Sequence, residues 1–514
     1  MRRGALRLVL QSGALDALLQ MAHPHRWAPR TRVPKNSDTE EMRTLLITRQ
    51  RRIAPSRLGA MLLLLATTPV FGQVSLLDPS FRIGSGPDGP VDALLVQADQ
   101  RILVGGEFTA ISGCSNSFLA RVNADGSVDC SFDPAGQTDG LVRCLVRQPD
   151  GKMLVGGGFG RLLGQDRPAL ARLLEDGSVD ASFDPGAVLG TNSDVYAMAL
   201  QDDGRLLGAY CSKDGDGFRS FQIVRLNTNS TFDPTFTCTN VLWGMDVVLL
   251  PQPNGSILLG GNALGCSGTT NCCLFRLEPD GQVDAGFDSG LELCSVFSLM
   301  RQTNGQVLVG GCLRRTSVSN SVPLLRLNRD LTWDDTFQPD DFFLANDPVR
   351  PDYITSLVLQ PDGKLVAGGS FFQVGGYCRN NLVRFTAEGH VDGCFDPGLG
   401  LGNYDQQVRA LALQPDGRIL AGGWFTGVDT ALGQSNLGRL LPQSGCDLIR
   451  VYLNGGDQAF AAATFPPGGT NYLEFSGDLK VWTPVQTNSG PFIWYYQFSL
   501  TETPCGFFRA RQER

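Results

Sequence analysis

The sequence predicts an all-β chain: a seven-bladed β-propeller closed by its N-terminal strand, followed by a small β-sandwich-like domain at the C-terminus. Three observations predict it. A kernel recurs seven times at a period near fifty residues. An Asx-Gly turn separates two apolar runs in six of the seven copies. Glycine supplies 62 of 514 residues, well above the usual ~7%, while charged residues make up only 18%. Hydrophobic residues at 42% are enough to bury a large core. Short strands joined by glycine turns fit these figures; a helical protein does not.

The N-terminus comes first. Residues 1–41 carry no pattern of strand or helix and read as unstructured or as a mis-assigned start, with Met42 as the start instead. Arg43, Arg49, Arg51, Arg52 and Arg57 then form a basic flank, and Leu58 to Val70 is an apolar run ending in Val70-Phe71-Gly72. This is the layout of a secretory signal peptide over 42–72. The run is shorter than the ~20 residues a membrane-spanning helix needs. Removing residues 1–73 takes away 12 of the 43 basic and 4 of the 51 acidic residues, leaving a net charge of −16. Such a surface disfavours nucleic acid and anionic membranes. It suits solubility, divalent cations or neutral glycans.

The repeat occupies 74–445. Its clearest copies are VDALLVQADQRILVGGEF from Val91, VRCLVRQPDGKMLVGGGF from Val142, ITSLVLQPDGKLVAGGSF from Ile354 and VRALALQPDGRILAGGWF from Val408. Weaker copies start at Val195, Asp246 and Val296. The shared glutamines, Gln97, Gln148, Gln201, Gln252, Gln302, Gln360 and Gln414, are spaced by 51, 53, 51, 50, 58 and 54 residues. Each unit reads as four strands. Asx-Gly between the first two predicts a tight hairpin with both central residues at positive φ. Only the first copy departs, with Asp99-Gln100. The second strand ends in Gly-Gly in six copies, which fits a bulge or a close backbone approach.

The third strand carries an arginine in every unit, followed eight residues later by an aspartate. The pairs are Arg121 with Asp129, Arg172 with Asp180, Arg225 with Asp233, Arg276 with Asp284, Arg326 with Asp334, Arg384 with Asp392, and Arg439 with Asp447. A turn lies midway, so each Arg should face its Asp across a hairpin. A ring of ligand-binding arginines is one reading. A structural staple is the better one, because a repeat fold must close every unit whereas a ligand rarely needs seven equivalent sites. Six of the aspartates precede a phenylalanine by three residues. An extra Asp-x-x-Phe, Asp78 to Phe81, stands before the first kernel, and the last unit has Arg450 where Phe is expected. That offset predicts that the Asp78 segment completes the last unit and closes a ring. An open β-solenoid is the other arrangement, although its repeats usually run shorter.

The motif V-x-A-L-x-L-Q-P-D-G-K-I-L-V-G-G-x-F, followed by L-x-R-L and V-D-x-S-F-D-P, resembles the delta-60 repeat family over about 74–445. The resemblance implies a propeller of unknown function and transfers no catalytic residue. The tail, 446–514, is similar to a C-terminal β module of large exported bacterial proteins, through TNYLEFSGDLKVWTPVQT from Thr470 and GFFRAR from Gly506. Its Trp482, Phe492, Trp494, Tyr495, Tyr496 and Phe498 suit core packing better than sugar stacking.

Function is expected on loops that differ from copy to copy: 111–117, 213–219, 313–321 and 340–352. Asp340, Asp341, Asp347 and Asp352 could bind a divalent cation, as could Asp214 and Asp216, but neither set matches an EF-hand and a solvated acidic loop explains both. No other cofactor is evident. His390, left alone once His23 and His25 are removed, occupies a turn position and builds no triad. Paired-carboxylate hydrolysis requires only two acids about 5–10 Å apart, and nothing in the sequence selects such a pair.

All 14 cysteines lie between Cys114 and Cys505, and an even count in an exported chain favours disulfides. Cys114 with Cys130 and Cys378 with Cys394 share a spacing of 16 residues. Cys446 and Cys505 bracket the tail domain, and Cys294 with Cys312 would reach the variable face together. The sequence therefore describes a secreted or cell-surface bacterial propeller that binds a glycan or protein ligand or serves as a scaffold. Its rivals are a polysaccharide-active enzyme using acids on the loop face and an array subunit of the cell envelope. A carboxylate pair with perturbed pKa values in the central funnel would favour the enzyme.

Overall fold

The computed structural model describes residues 77–513 except for internal segments, the longest being 262–272, and from 443 onward it describes strands only. Residues 1–41 and the expected signal segment 42–72 lie outside the described residues. The elements are β-strands gathered into small antiparallel sheets. No helix among the described residues is long and apolar enough to cross a membrane.

Seven of the sheets correspond to the seven units. Unit 1 is Val91–Val96, Ile102–Gly106 and Leu119–Val122, paired in that order. Unit 7 is Gln407–Leu413, Ile419–Thr426 and Ser435–Leu440. Where the fourth strand is expected, units 1 to 6 show a single bridge, such as Val122 with Val128 or Leu173 with Val179, and only unit 3 adds a fourth strand further on, Leu242–Gly244, paired with Arg219–Phe221 among the described residues. The aspartate that follows ends the pairing. Asp129 Oδ1 accepts from the backbone N–H and hydroxyl of Ser131, turning the chain two residues on.

The hairpin turns also differ from the expectation of two positive-φ residues. Only the glycine is left-handed, for example Gly151 at φ 87°. Its N–H donates to the Gln148 carbonyl, making a type I turn followed by a left-handed residue. In unit 1 Gln100 takes that place at φ 67°, a conformation that a side chain disfavours.

The core lies between sheets. Leu103 and Leu119 of unit 1 pack with Val142 and Val155 of unit 2, and each later pair of units repeats the contact. Leu420 and Leu437 of unit 7 pack in the same way with Val91 and Val104 of unit 1. The first glycine of each Gly-Gly pair allows this approach. A Cβ on Gly105 would lie 2.5 Å from Val142 Cγ1, and one on Gly422 would lie 2.5 Å from Val91 Cγ1.

In the tail, one sheet is Ile449–Leu453, Gln458–Thr464 and Ile493–Ser499, and a second centres Thr470–Ser476 between Thr483–Asn488 and Phe507–Glu513. Its aromatic side chains and Cys446 and Cys505 lie outside the described residues, as does Asp447.

Candidate functional site

The arginine ladder has more contacts than the sequence suggested. Arg172 Nε lies 2.8 Å from Asp180 Oδ2, and the pairs from Arg121–Asp129 to Arg384–Asp392 repeat the contact. Each guanidinium also covers the phenylalanine that follows its Asp, at 4.5 Å for Phe183. Several then reach the next unit. Arg225 Nη1 donates to the Pro279 carbonyl at 2.7 Å, and Arg326 Nη1 donates to that of Ala387 at 2.8 Å. The residue therefore links neighbouring units as well as closing its own hairpin.

Arg439 makes the same contacts with the N-terminal segment. Its Nε lies 2.9 Å from Asp78 Oδ2, its guanidinium covers Phe81 at 4.5 Å, and it donates to the Ala124 carbonyl of unit 1. Arg418 also reaches Asp78, at 2.9 Å, as Lys364 reaches Asp392. The Asp78 N–H donates to the Arg439 carbonyl, and Leu77 bridges Leu440. Burial pushes the Asp78 carboxyl up, but hydrogen bonds from Ser80 and the charges of Arg439 and Arg418 outweigh it and hold it below the usual range.

The loops expected to hold a cation do not assemble a site. Asp214, Asp216 and Asp347 lie outside the described residues. Asp340 is occupied: its carboxylate accepts from the Val391 N–H at 2.6 Å and meets His390 Nδ1 at 3.2 Å. Asp341 offers its backbone carbonyl to Gly375. Asp352 is 4% exposed, its Oδ2 meets no hydrogen-bond partner among the described residues, and burial pushes its carboxyl up to about 6. No group of three metal-ligating side chains occurs among the described residues.

Cys114 and Cys130 are bonded, with Cα atoms 5.6 Å apart. Cys394 and the Cys378 side chain lie outside the described residues. The expected pairing of Cys294 with Cys312 is wrong. Cys294 bonds Cys273 of the preceding unit, at a Cα separation of 5.7 Å, and Cys312 is a free thiol. Cys312 sits directly across from Ser295, so register placed it near Cys294, but the chain entering unit 5 turns Cys294 back toward unit 4.

A cavity of about 460 Å³ is lined by residues from all seven units, a size typical of small-molecule sites. Each unit contributes the second residue of its kernel: Asp92, Arg143, Tyr196, Val247, Phe297, Thr355 and Arg409. In six units this residue is skipped in the ladder. Val91 pairs Gly106 and Ala93 pairs Gly105, leaving Asp92 as a bulge, and the other five repeat the shift. Unit 4 pairs Val247 with Gly261 in register. Bulges re-aim side chains, and they recur beside functional sites. Here they turn the one chemically diverse position of an apolar kernel toward the cavity.

The charges inside are paired. Arg409 Nη1 donates to Asp92 Oδ1 at 2.7 Å and to Glu107 Oε1 at 3.1 Å. With its amide nitrogen toward the Tyr353 hydroxyl at 2.9 Å, the Gln407 oxygen accepts from Arg409 Nε at 2.8 Å. Arg143 holds Asp194 at 3.0 Å and stacks on Tyr196 at 4.5 Å. Burial raises the Asp92 carboxyl against the pull of Arg409, and its Oδ2 has no hydrogen-bond partner among the described residues. The variable loops drew the sequence reading away from this ring. The signal available was the second kernel position, where Asp, Arg, Tyr, Val, Phe, Thr and Arg follow a first residue that is Val or Ile in six of seven copies.

Repeated antiparallel units that pack face to face and carry one ladder of Arg, Asp and Phe define a repeat protein of the propeller kind. Six of its seven repeats match the domain of unknown function DUF5122 β-propeller family, at residues 97–132, 148–183, 201–236, 252–287, 360–395 and 414–436. No curated protein matches the chain. Among solved structures it is similar to a protein of unknown function from Bacteroides caccae, at 14% identity and a TM-score of 0.31, covering 57% of this chain and 93% of that one. It is also similar to the calcium-binding protein regucalcin from Agrobacterium tumefaciens, at 11% identity and a TM-score of 0.33, covering 70% and 92%. A luciferin-regenerating enzyme matches at 10% identity and a TM-score of 0.30, covering 69% and 92%.

Proposed function

We propose that the seven units close into a ring sealed by the Asp78 segment, and that the protein is an exported module binding a small polar ligand in the cavity at its centre. The observation that carries this is the ring of second kernel residues. Six units bulge at that position, and all seven deliver a side chain to one cavity. A purely structural repeat gains nothing from seven different side chains there, while a binding site needs such diversity. The lining residues sit at the starts of the inner strands and, with Glu107, just past the end of a second strand. Ligand therefore enters from the face that carries the loops between units.

Asp92 and Glu107 share Arg409, and burial raises the Asp92 carboxyl. That pair favours a second reading, hydrolysis of a bound glycoside, with Asp92 as the proton donor.

The test is a melting screen of a mixed library of neutral sugars, amines and dicarboxylates against the parent and Thr355→Trp, which fills the cavity. Ligands should raise the melting temperature of the parent alone. Hits that stabilise both proteins equally would place binding elsewhere. Release of reducing ends from oligosaccharides by the parent, lost in Asp92→Asn, would favour the hydrolase.

A further inference from the structure

The cavity wall is divided by chemistry. Units 7, 1, 2 and 3 supply Arg409, Asp92, Glu107, Arg143 and Tyr196, with Asp194 behind Arg143. Units 4, 5 and 6 supply Val247, Val296, Phe297, Tyr353 and Thr355. Asp246, at the start of unit 4, is exposed. Phe297 and Tyr353 lie together, ring centroids 5.5 Å apart at 60°. One half of the wall is thus polar and hydrogen-bonding, and the half facing it is largely aromatic and aliphatic.

The two arginines are committed. Arg143 spends its fork on Asp194 and its face on Tyr196. Arg409 is divided among Asp92, Glu107 and Gln407. Among the described lining residues, no cation is left over to neutralise an anionic ligand, and carboxylates outnumber guanidinium groups, since Asp92 and Glu107 share Arg409 and Asp246 adds a third. The excess polar capacity is of the acceptor kind, and the Glu107 side chain, 41% exposed, offers it most openly. An excess of acceptors suits a ligand rich in hydrogen-bond donors.

Resting on the reading of the cavity as a binding site, we infer that its ligand is a neutral sugar, one or two rings in size. The sugar lays its C–H face on Phe297 and Tyr353 and directs hydroxyl groups to Asp92 and Glu107. A sugar ring has this same division, with C–H groups on one face and hydroxyls at its edge. The carboxylates accept from sugar hydroxyls.

The experiment is saturation-transfer NMR on the chain from Gln73 onward. The probes are glucose, galactose, mannose, N-acetylglucosamine and their β-linked disaccharides, with glycine betaine and succinate as the charged controls. At least one sugar should receive saturation on its ring C–H protons, and the controls should not. Phe297→Ala and Asp92→Asn should each weaken that sugar by about tenfold or more, the size expected for losing one well-placed contact. Thr355→Trp should abolish binding, and Val247→Trp replaces it if that variant does not fold. Binding of betaine or succinate, blocked by the same substitution while the sugars fail, would overturn the sugar and leave the cavity standing. Sugar binding that survives both tryptophan variants would overturn the cavity reading itself. Silence from every probe would overturn the sugar assignment.

Discussion

Asp78→Ala should destabilise the fold far more than its place near the start of the described chain suggests. Its carboxylate accepts from Arg439 and Arg418 at 2.9 Å each, and the side chains of Asp78 and Arg439 are 2% and 6% exposed. Removing one partner of a buried pair leaves an uncompensated charge and typically costs about 3–5 kcal/mol. The turn to Ser80 held by the same carboxylate adds about 1 kcal/mol. The control is Asp99→Ala, which breaks the exposed Arg101 pair, whose side chains are 29% and 47% exposed. Exposed pairs are worth about 0–1 kcal/mol. Urea unfolding followed by circular dichroism gives both costs. Asp78→Ala with Arg439→Met should recover part of the loss, because the stranded charge goes with the arginine. If Asp78→Ala unfolds at the same urea concentration as Asp99→Ala, the N-terminal segment is an appendage and the ring is sealed by other contacts.

Further outcomes follow from individual side chains. Asp352 has its folded carboxyl pushed up to about 6, above the ordinary 3.8, so the fold loses stability as pH rises from about 4 to 6. Asp352→Asn should therefore stabilise the protein at pH 7.5 by up to about 3 kcal/mol, a gain that vanishes near pH 4 when melts are compared. The ladder aspartates behave oppositely. Burial raises Asp180 and Asp233, but hydrogen bonds from Ser182 and Thr235 and from the arginines win and hold both below the usual range. Their contribution is present above pH 4 and drains away below it, so acid melts of Asp180→Asn should fall less steeply than those of the parent. Gln100→Gly should raise stability by up to about 1 kcal/mol, since only glycine takes φ near 67° freely. Peptide mapping without reduction should return Cys273 linked to Cys294 and Cys312 as a free thiol; a Cys294–Cys312 peptide would contradict the structure.

The repeat was legible because its signals are local. Arg172 and Asp180 lie eight residues apart about one turn, so their pairing follows from hairpin symmetry alone. The extra Asp78-x-x-Phe81 pointed to Arg439 by the same count. What the sequence hid depends on the third dimension. The bond from Arg225 to the Pro279 carbonyl joins two units, and no spacing within a unit announces it. Strict alternation treats Asp92 and Leu94 as neighbours on one face, whereas the bulge takes Asp92 out of the ladder and aims it at the cavity. Shared access to the variable face suggests Cys294 with Cys312, but the entering loop carries Cys294 to Cys273. The fourth strand failed for a chemical reason: Asp129 bonds the Ser131 backbone and ends the strand where apolar pattern alone would extend it.

The most direct test of the account is a crystal structure of the chain from Gln73 onward soaked with the sugar that binds most tightly. The account predicts density for the sugar inside the ring, between Phe297 and the Asp92–Arg409 pair. A sugar seated on the loops around 313–321, on the tail domain, or against the arginine ladder would contradict it.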